Sequence, residues 1–257
     1  MRWTAVLLCI LNALSLHAID VQEIQDRSDK IIHPRNLTGS FTMTLISKRG
    51  DTRVTKVLAY QKSLGPTREN RLFLFTFPPS VRGTGLLVHS YFDREQDRMW
   101  IYLPAVGKIK RVNLSSAGGG YFMGSDFTYS DLISANRDDF LFELVGEVSY
   151  AGQDCYLIRR QGKTRDIQRQ YGYSKDESYI RKSDFVPIRS VFYDLAGDLL
   201  KELSVQRVAE IGPYRYPSQV TMENKQTGHV SRIEFGDLAS PEDVPDEYFT
   251  QRYLMNY

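Results

Sequence analysis

Met99-Trp100-Ile101-Tyr102-Leu103 carries five consecutive apolar or aromatic residues, with no polar residue to mark an outer face. Leu72-Phe73-Leu74-Phe75 and Leu86-Leu87-Val88 share that property. A sheet with one face in water alternates apolar and polar residues, so strands apolar on both sides need cover twice. One face can bury against the domain's own core, while the second needs a lid or a guest, because large apolar patches are rare on soluble monomers. The pattern leaves an ordinary two-layer core and a concave sheet holding an apolar ligand as equal readings. It does not say which strand face points inward.

Outward from this stretch, strand patterns recur every 10 to 15 residues or so. Phe41, Met43 and Leu45 alternate with Ser40, Thr42 and Thr44. Arg49-Gly50-Asp51 turns this strand into a second one over 54–60; a hairpin explains the tripeptide better than integrin binding does. Further strands are expected over 71–77, 85–92, 99–103 and 108–114, then 142–150, 155–160, 187–194, 200–208, 214–224 and 229–235, with 165–181 left as a long polar stretch. Gly107, Gly152, Gly197, Gly212-Pro213 and Gly228 punctuate the series. Short strands separated by turns mean an antiparallel β architecture. An amphipathic helix is expected over 19–32, stopped by His33-Pro34. Thr128-Tyr129-Ser130-Asp131 has the spacing of a capping box. A terminal helix is expected within 245–254. With neither a linker nor a repeat, residues 19–257 read as one domain.

The 257 residues hold 33 Lys+Arg against 31 Asp+Glu, a formal charge of +2. That balance excludes a polyelectrolyte nucleic-acid binder. Arg2 followed by the apolar run Ala5–Leu16 and a small residue at Ala18 describes a secretory signal peptide over residues 1–18. The run is too short for a bilayer span, which needs about 20 residues. An exported, periplasmic protein follows. Removing that segment leaves one cysteine, Cys155, so no internal disulfide can form, and the thiol reads as structural.

Signals for catalysis are weak. His33, His89 and His229 are isolated, and none has a metal-ligand spacing. Gly118-Gly119-Gly120 lacks the Lys and Ser/Thr of a phosphate loop. Ser125-Asp126 would need a histidine delivered by the fold to act as a hydrolase. Asn36-Leu37-Thr38 and Asn113-Leu114-Ser115 match the glycosylation sequon, a common chance match. Neither an enzyme nor a cofactor nor a metal is expected. Lys108-Ile109-Lys110-Arg111 is basic and alternating; it suits either an edge strand protected by charge or a rim that meets anionic groups.

Arg82-Gly83-Thr84-Gly85, Met99–Ala105, Lys110-Arg111-Val112 and Phe122-Met123-Gly124-Ser125-Asp126-Phe127-Thr128-Tyr129-Ser130-Asp131-Leu132 follow one another in order. So do Asp154-Cys155-Tyr156, Asp194-x-x-Gly197-x-x-x-Lys201, and Phe249-Thr250 with Leu254. This series resembles the bacterial outer membrane lipoprotein-sorting protein family, a LolA-like family of exported proteins. The resemblance implies a mainly β fold: an unclosed antiparallel half-barrel of about eleven strands, lidded by short helices over an apolar cavity. It implies a periplasmic carrier of lipid or lipoprotein acyl chains, working beside a membrane exporter of the resistance-nodulation-division (RND) type. A module that senses lipids or lipoproteins and signals to a membrane partner would use the same cavity. The expected lining is Leu72, Leu74, Leu87, Trp100 and Tyr102 on strands, with Phe122, Met123, Phe127 and Leu132 in the lid. Gly120-Tyr121 stands where the family usually has a serine, and Lys108–Arg111 is richer in lysine than usual.

Overall fold

A computed structural model describes residues 19–92, 96–114 and 120–256. The expected leader and the Gly118-Gly119 part of the glycine run lie outside them. Thirteen strands form one antiparallel sheet in the order β6-β5-β4-β3-β2-β1-β13-β12-β11-β10-β9-β8-β7. They are β1 (Asn36–Ile46), β2 (Thr52–Ser63), β3 (Arg68–Phe77), β4 (Gly85–Tyr91), β5 (Arg98–Leu103), β6 (Lys108–Arg111), β7 (Phe140–Tyr150), β8 (Gln153–Gly162), β9 (Lys175–Arg181), β10 (Pro187–Tyr193), β11 (Leu199–Ile211), β12 (Tyr214–Asn224) and β13 (Val230–Ala239). The chain walks outward from β1 to the edge strand β6. It then crosses to the opposite edge, β7, and steps back until β13 pairs with β1. The sheet is not closed into a barrel, since β6 and β7 do not pair.

A flat sheet of thirteen strands would be roughly 60 Å wide at about 4.8 Å per strand. Yet Met99 on β5, Phe41 on β1 and Phe140 on β7 belong to one contiguous buried cluster. The sheet therefore curls, and this cluster occupies its concave side. The crossover from β6 to β7 runs across that side, and its Phe122, Phe127 and Ile133 are buried in the same cluster. Helix α1 (Val21–Ile32) covers the concave face nearer β7, with Ile24 buried against Ile158 of β8 and Ile180 of β9. The expected helix is thus present, and His33 follows it as the C-cap.

The polar stretch 165–181 resolves into helix α2 (Arg165–Tyr171) and strand β9. Strand β9 was illegible because one of its inward residues is Asp176, engaged by Arg160 at 2.7 Å. That makes thirteen strands where about eleven were expected. Strand β6 ends at Arg111 rather than Leu114.

The convex face of β3–β5 carries a second cluster. Leu72, Leu74 and Leu87 are buried there under Val244, Phe249 and Leu254 of the C-terminal segment. That segment ends in a short 3-10 turn, Asp246–Phe249, and helix α3 (Gln251–Asn256). His89 fastens it: Nε2–H donates to the Phe249 carbonyl at 3.0 Å, and Nδ1 accepts from Arg68 Nη2 at 3.2 Å. The bond from Arg68 needs the neutral imidazole, and burial lowers the ring's pKa to about 4 against an ordinary value of 6.5. Between those values the unfolded chain takes up the proton more readily, so His89's contribution is complete above pH 6.5 and is lost as pH falls toward 4. Allowing for screening of a partly exposed ring, this amounts to about 1–2 kcal/mol. Burial raises the Asp97 carboxyl to about 6, which acts with the opposite sign: its destabilisation is relieved as pH falls through 6. In a D97N background, the hydrogen-exchange protection factors of residues 246–256, each referred to the intrinsic rate at its pH, are expected to fall on going from pH 7 to pH 4.5. A protection factor that responds to pH no differently in D97N/H89Q would remove His89 as the cause.

Candidate functional site

Between α1, the crossover and the concave face lies a cavity of about 1290 Å³. Its apolar walls include Ile31 and Ile32 of α1, Phe127 and Ile133 of the crossover, and Phe192, Leu203 and Met222 of the sheet. That volume exceeds the roughly 300–1,000 Å³ common for small-molecule sites. Arg35, Arg71 and Glu69 add charge to the lining. Arg71 is neutralised by Glu69 at 2.8 Å and donates to the Leu132 carbonyl at 2.9 Å.

The lid is held at two places. At one, Arg137 of the crossover contacts two acids of α1: Nη1 lies 2.5 Å from Asp26 and Nε lies 3.2 Å from Asp29. These side chains are part-exposed, so the contact is a weak latch. The other is a buried polar cluster. Lys201 of β11 has no exposed surface; its ammonium donates to the Asp126 carbonyl at 2.7 Å and to the Asp131 carboxylate at 2.8 Å. It also lies over the Tyr173 and Phe192 rings, 5.0 and 5.3 Å from their centroids. Asp131 accepts further bonds from the Tyr173 hydroxyl at 2.8 Å and from the Thr128 amide at 2.7 Å. The last bond closes the 3-10 turn Tyr129–Leu132 in the way the capping-box spacing predicts. Burial and the Asp131 carboxylate push the Tyr173 phenol well above its ordinary pKa, so it stays a donor.

Asp126 is gripped in turn by β13. Its amide donates to Ser231 Oγ at 2.8 Å, Ser231 Oγ donates to its carboxylate at 2.7 Å, and His229 Nδ1 lies 2.6 Å from that carboxylate. The long F-M-G-S-D-F-T-Y-S-D-L motif and the distant Lys201 are thus one structural device that seats the crossover on the sheet. The fold brings His229 to Asp126, a pairing that a separation of 103 residues hides in the sequence. Ser125 is buried, and its hydroxyl donates to the Phe122 carbonyl at 2.7 Å; no imidazole is among its hydrogen-bond partners. Cys155 is buried, and burial raises its thiol pKa.

The nine residues expected to line the cavity divide by face. Phe127 lines it. Phe122, Met123 and Leu132 pack in the concave cluster beside it. Leu72, Leu74, Leu87, Trp100 and Tyr102 lie on the convex face against the C-terminal segment. Their placement corrects the expected lining: the inward residues of these strands are Phe73, Phe75, Leu86, Val88, Met99 and Ile101. Ile133, Tyr171, Phe192, Leu203 and Met222 line the cavity without having been singled out from the sequence. The sequon asparagine Asn36 is buried, donating to the Pro241 and Glu242 carbonyls at 3.2 and 2.7 Å.

A family profile described as that of an uncharacterized protein matches residues 67–256. Among curated proteins none matches the sequence. Solved structures do. A domain described as an outer membrane lipoprotein-sorting protein from Vibrio parahaemolyticus is 26% identical; the match covers 91% of this chain and 97% of that one, with a TM-score of 0.83. A DUF1329 family protein from Desulfovibrio piger is 27% identical over 90% of this chain and 96% of that one, again with a TM-score of 0.83. A LolA superfamily protein from Nitrosomonas europaea is 23% identical over 92% of this chain and the whole of that one, with a TM-score of 0.71, and shares the fold. With residues 67–256 matched by the profile, the chain belongs to that profile's family, and over 91% of its length it is similar to the outer membrane lipoprotein-sorting protein domain.

Proposed function

We propose that the protein is a periplasmic carrier that takes acyl chains of lipids or lipoproteins into the concave cavity, without catalysis. The observation that carries this reading is the 1290 Å³ cavity walled by Ile31, Phe127, Ile133, Phe192 and Leu203 and roofed by a crossover that spans the open half-barrel. Each buried methylene contributes about 0.8 kcal/mol, so a chain of about a dozen carbons gains about 10 kcal/mol before ordering costs. Release then requires a competing site or movement of the roof. The weak Arg137 latch is the part of the lid that can open, while the Lys201 cluster holds the crossover's middle. An exporter of the RND type is the proposed partner, on the family resemblance alone.

Native mass spectrometry of protein purified without detergent, with lipid extraction of the same sample, tests the proposal. A stoichiometric lipid or acylated peptide is expected, and L203W, which fills the cavity from β11, is expected to lower its occupancy at least tenfold. A clean apo mass with no uptake of offered lipid would sink the carrier. Ligand uptake that changes binding to one membrane protein, without transfer to acceptor vesicles, would favour a sensor.

A further inference from the structure

We infer that one end of the sheet is a docking surface for an anionic lipid bilayer. Three segments distant in sequence meet there. The β1–β2 turn brings Lys48 and Arg49, and the start of β2 adds Arg53 and Lys56, all exposed. Lys56 is directly opposite Phe77, the last residue of β3, which places the loop to β4 and its exposed Arg82 at the same end. The β5–β6 turn adjoins that loop, since a side chain on Gly83 would meet Pro104 at 3.1 Å. Strand β6 then carries exposed Lys108, Lys110 and Arg111 along the open edge of the sheet.

These segments present eight exposed cations against one exposed carboxylate, Asp51, which is engaged by the Ser47 hydroxyl. Their sum of +7 compares with +2 for the whole chain, so everything else sums to −5. Such separation orients the molecule in the field of a negative surface. Arg53 donates to the Met123 carbonyl, which ties the patch to the crossover without neutralising it. In the middle of the patch two large apolar side chains face water: Phe77 is 44% exposed and Val106 is 48% exposed. Apolar tips ringed by Lys and Arg suit insertion at a headgroup layer, where the rings of charge meet lipid phosphates. An acidic protein surface would use the charges but leave Phe77 and Val106 without a reason to be exposed.

The cavity residues Ser63, Pro66 and Phe92 lie at the other end of these strands. A docked molecule therefore presents that end of the cavity away from the bilayer. The inference does not depend on what the cavity holds.

Co-sedimentation of the protein, as exported and purified from cells, with vesicles of phosphatidylcholine or of phosphatidylcholine with 30% phosphatidylglycerol tests it. Binding is expected to the anionic vesicles at 0.1 M salt, and to be at least tenfold weaker at 0.5 M salt, where charges are screened within a few ångströms. K108E/K110E is expected to weaken it at least tenfold, as is R49E/R82E in the loops, while R169E/R207E elsewhere leaves it unchanged. V106S is expected to reduce binding without altering its salt dependence. All these positions are exposed, and unchanged circular dichroism and melting confirm the fold. Equal binding to neutral vesicles, indifference to both paired reversals, or capture of polyglutamate in place of vesicles would overturn the inference.

Discussion

Lys201→Met is expected to destabilise the protein by about 3–5 kcal/mol, and to free the crossover from the sheet. The ammonium is wholly buried and is the cation facing Asp131 at 2.8 Å, so its loss leaves a part-buried carboxylate without a counter-charge. The Tyr173 hydroxyl and the Thr128 amide remain as donors to Asp131 but carry no charge. In a domain of this size the melting temperature should drop by about 10 °C or more. Hydrogen exchange should accelerate over residues 122–132 well before the sheet opens. Lys201→Met/Asp131→Asn removes both charges and is expected to recover part of the loss, because an uncompensated charge is costlier than a missing pair. A Lys201→Met protein that melts within 1 °C of the parent would show that the cluster does not seat the crossover.

The second large effect concerns the convex face. Leu254 is 1% exposed and lies against Leu74, close enough to Gly85 that a side chain there would come within 2.5 Å of it. Leu254→Asp puts an unpaired carboxylate among Leu72, Leu74 and Leu87, at a cost of about 4 kcal/mol or more. Residues 240–256 should undock and uncover an apolar patch that binds a hydrophobic dye. Trp100→Asp, at a half-buried position whose ring meets His89 edge-on at 5.0 Å, should act in the same direction but less strongly. In both variants the lipid recovered per folded molecule is expected to be unchanged, since the cavity lies across the sheet. A Trp100→Asp protein of normal stability that loses its lipid would instead put Trp100 in the binding site.

Period-two alternation and turn residues were enough to read an antiparallel β architecture, because half-buried strands such as 40–45 declare their inner face directly, while the unclosed half-barrel was implied by the family resemblance. The α1 boundary was legible from its apolar spacing and from His33-Pro34, and the capping box from Thr128 and Asp131 alone. Both are local features, satisfied within a few residues of chain. The inward face of β3–β5 was not legible. Leu72 and Leu74 are as apolar as Phe73 and Phe75, so alternation carries no sign there. The tertiary structure supplied it by laying the C-terminal segment over one face and the crossover over the other. Strand β9 was hidden for a related reason: the charge of Asp176 reads as solvent exposure until Arg160 is placed beside it.

What the sequence by itself determined is most of the strands, their antiparallel character and a lid motif with specific spacing. What only the tertiary structure decided is which residues share a site. Lys201, Asp126, Asp131, His229 and Ser231 meet because β13 closes on β1 and the crossover spans the two edges. The +7 end exists because three separate segments finish at one level of the sheet. Strand register and side-chain period are set by neighbours a few residues away, whereas these juxtapositions depend on the order and curvature of the whole sheet.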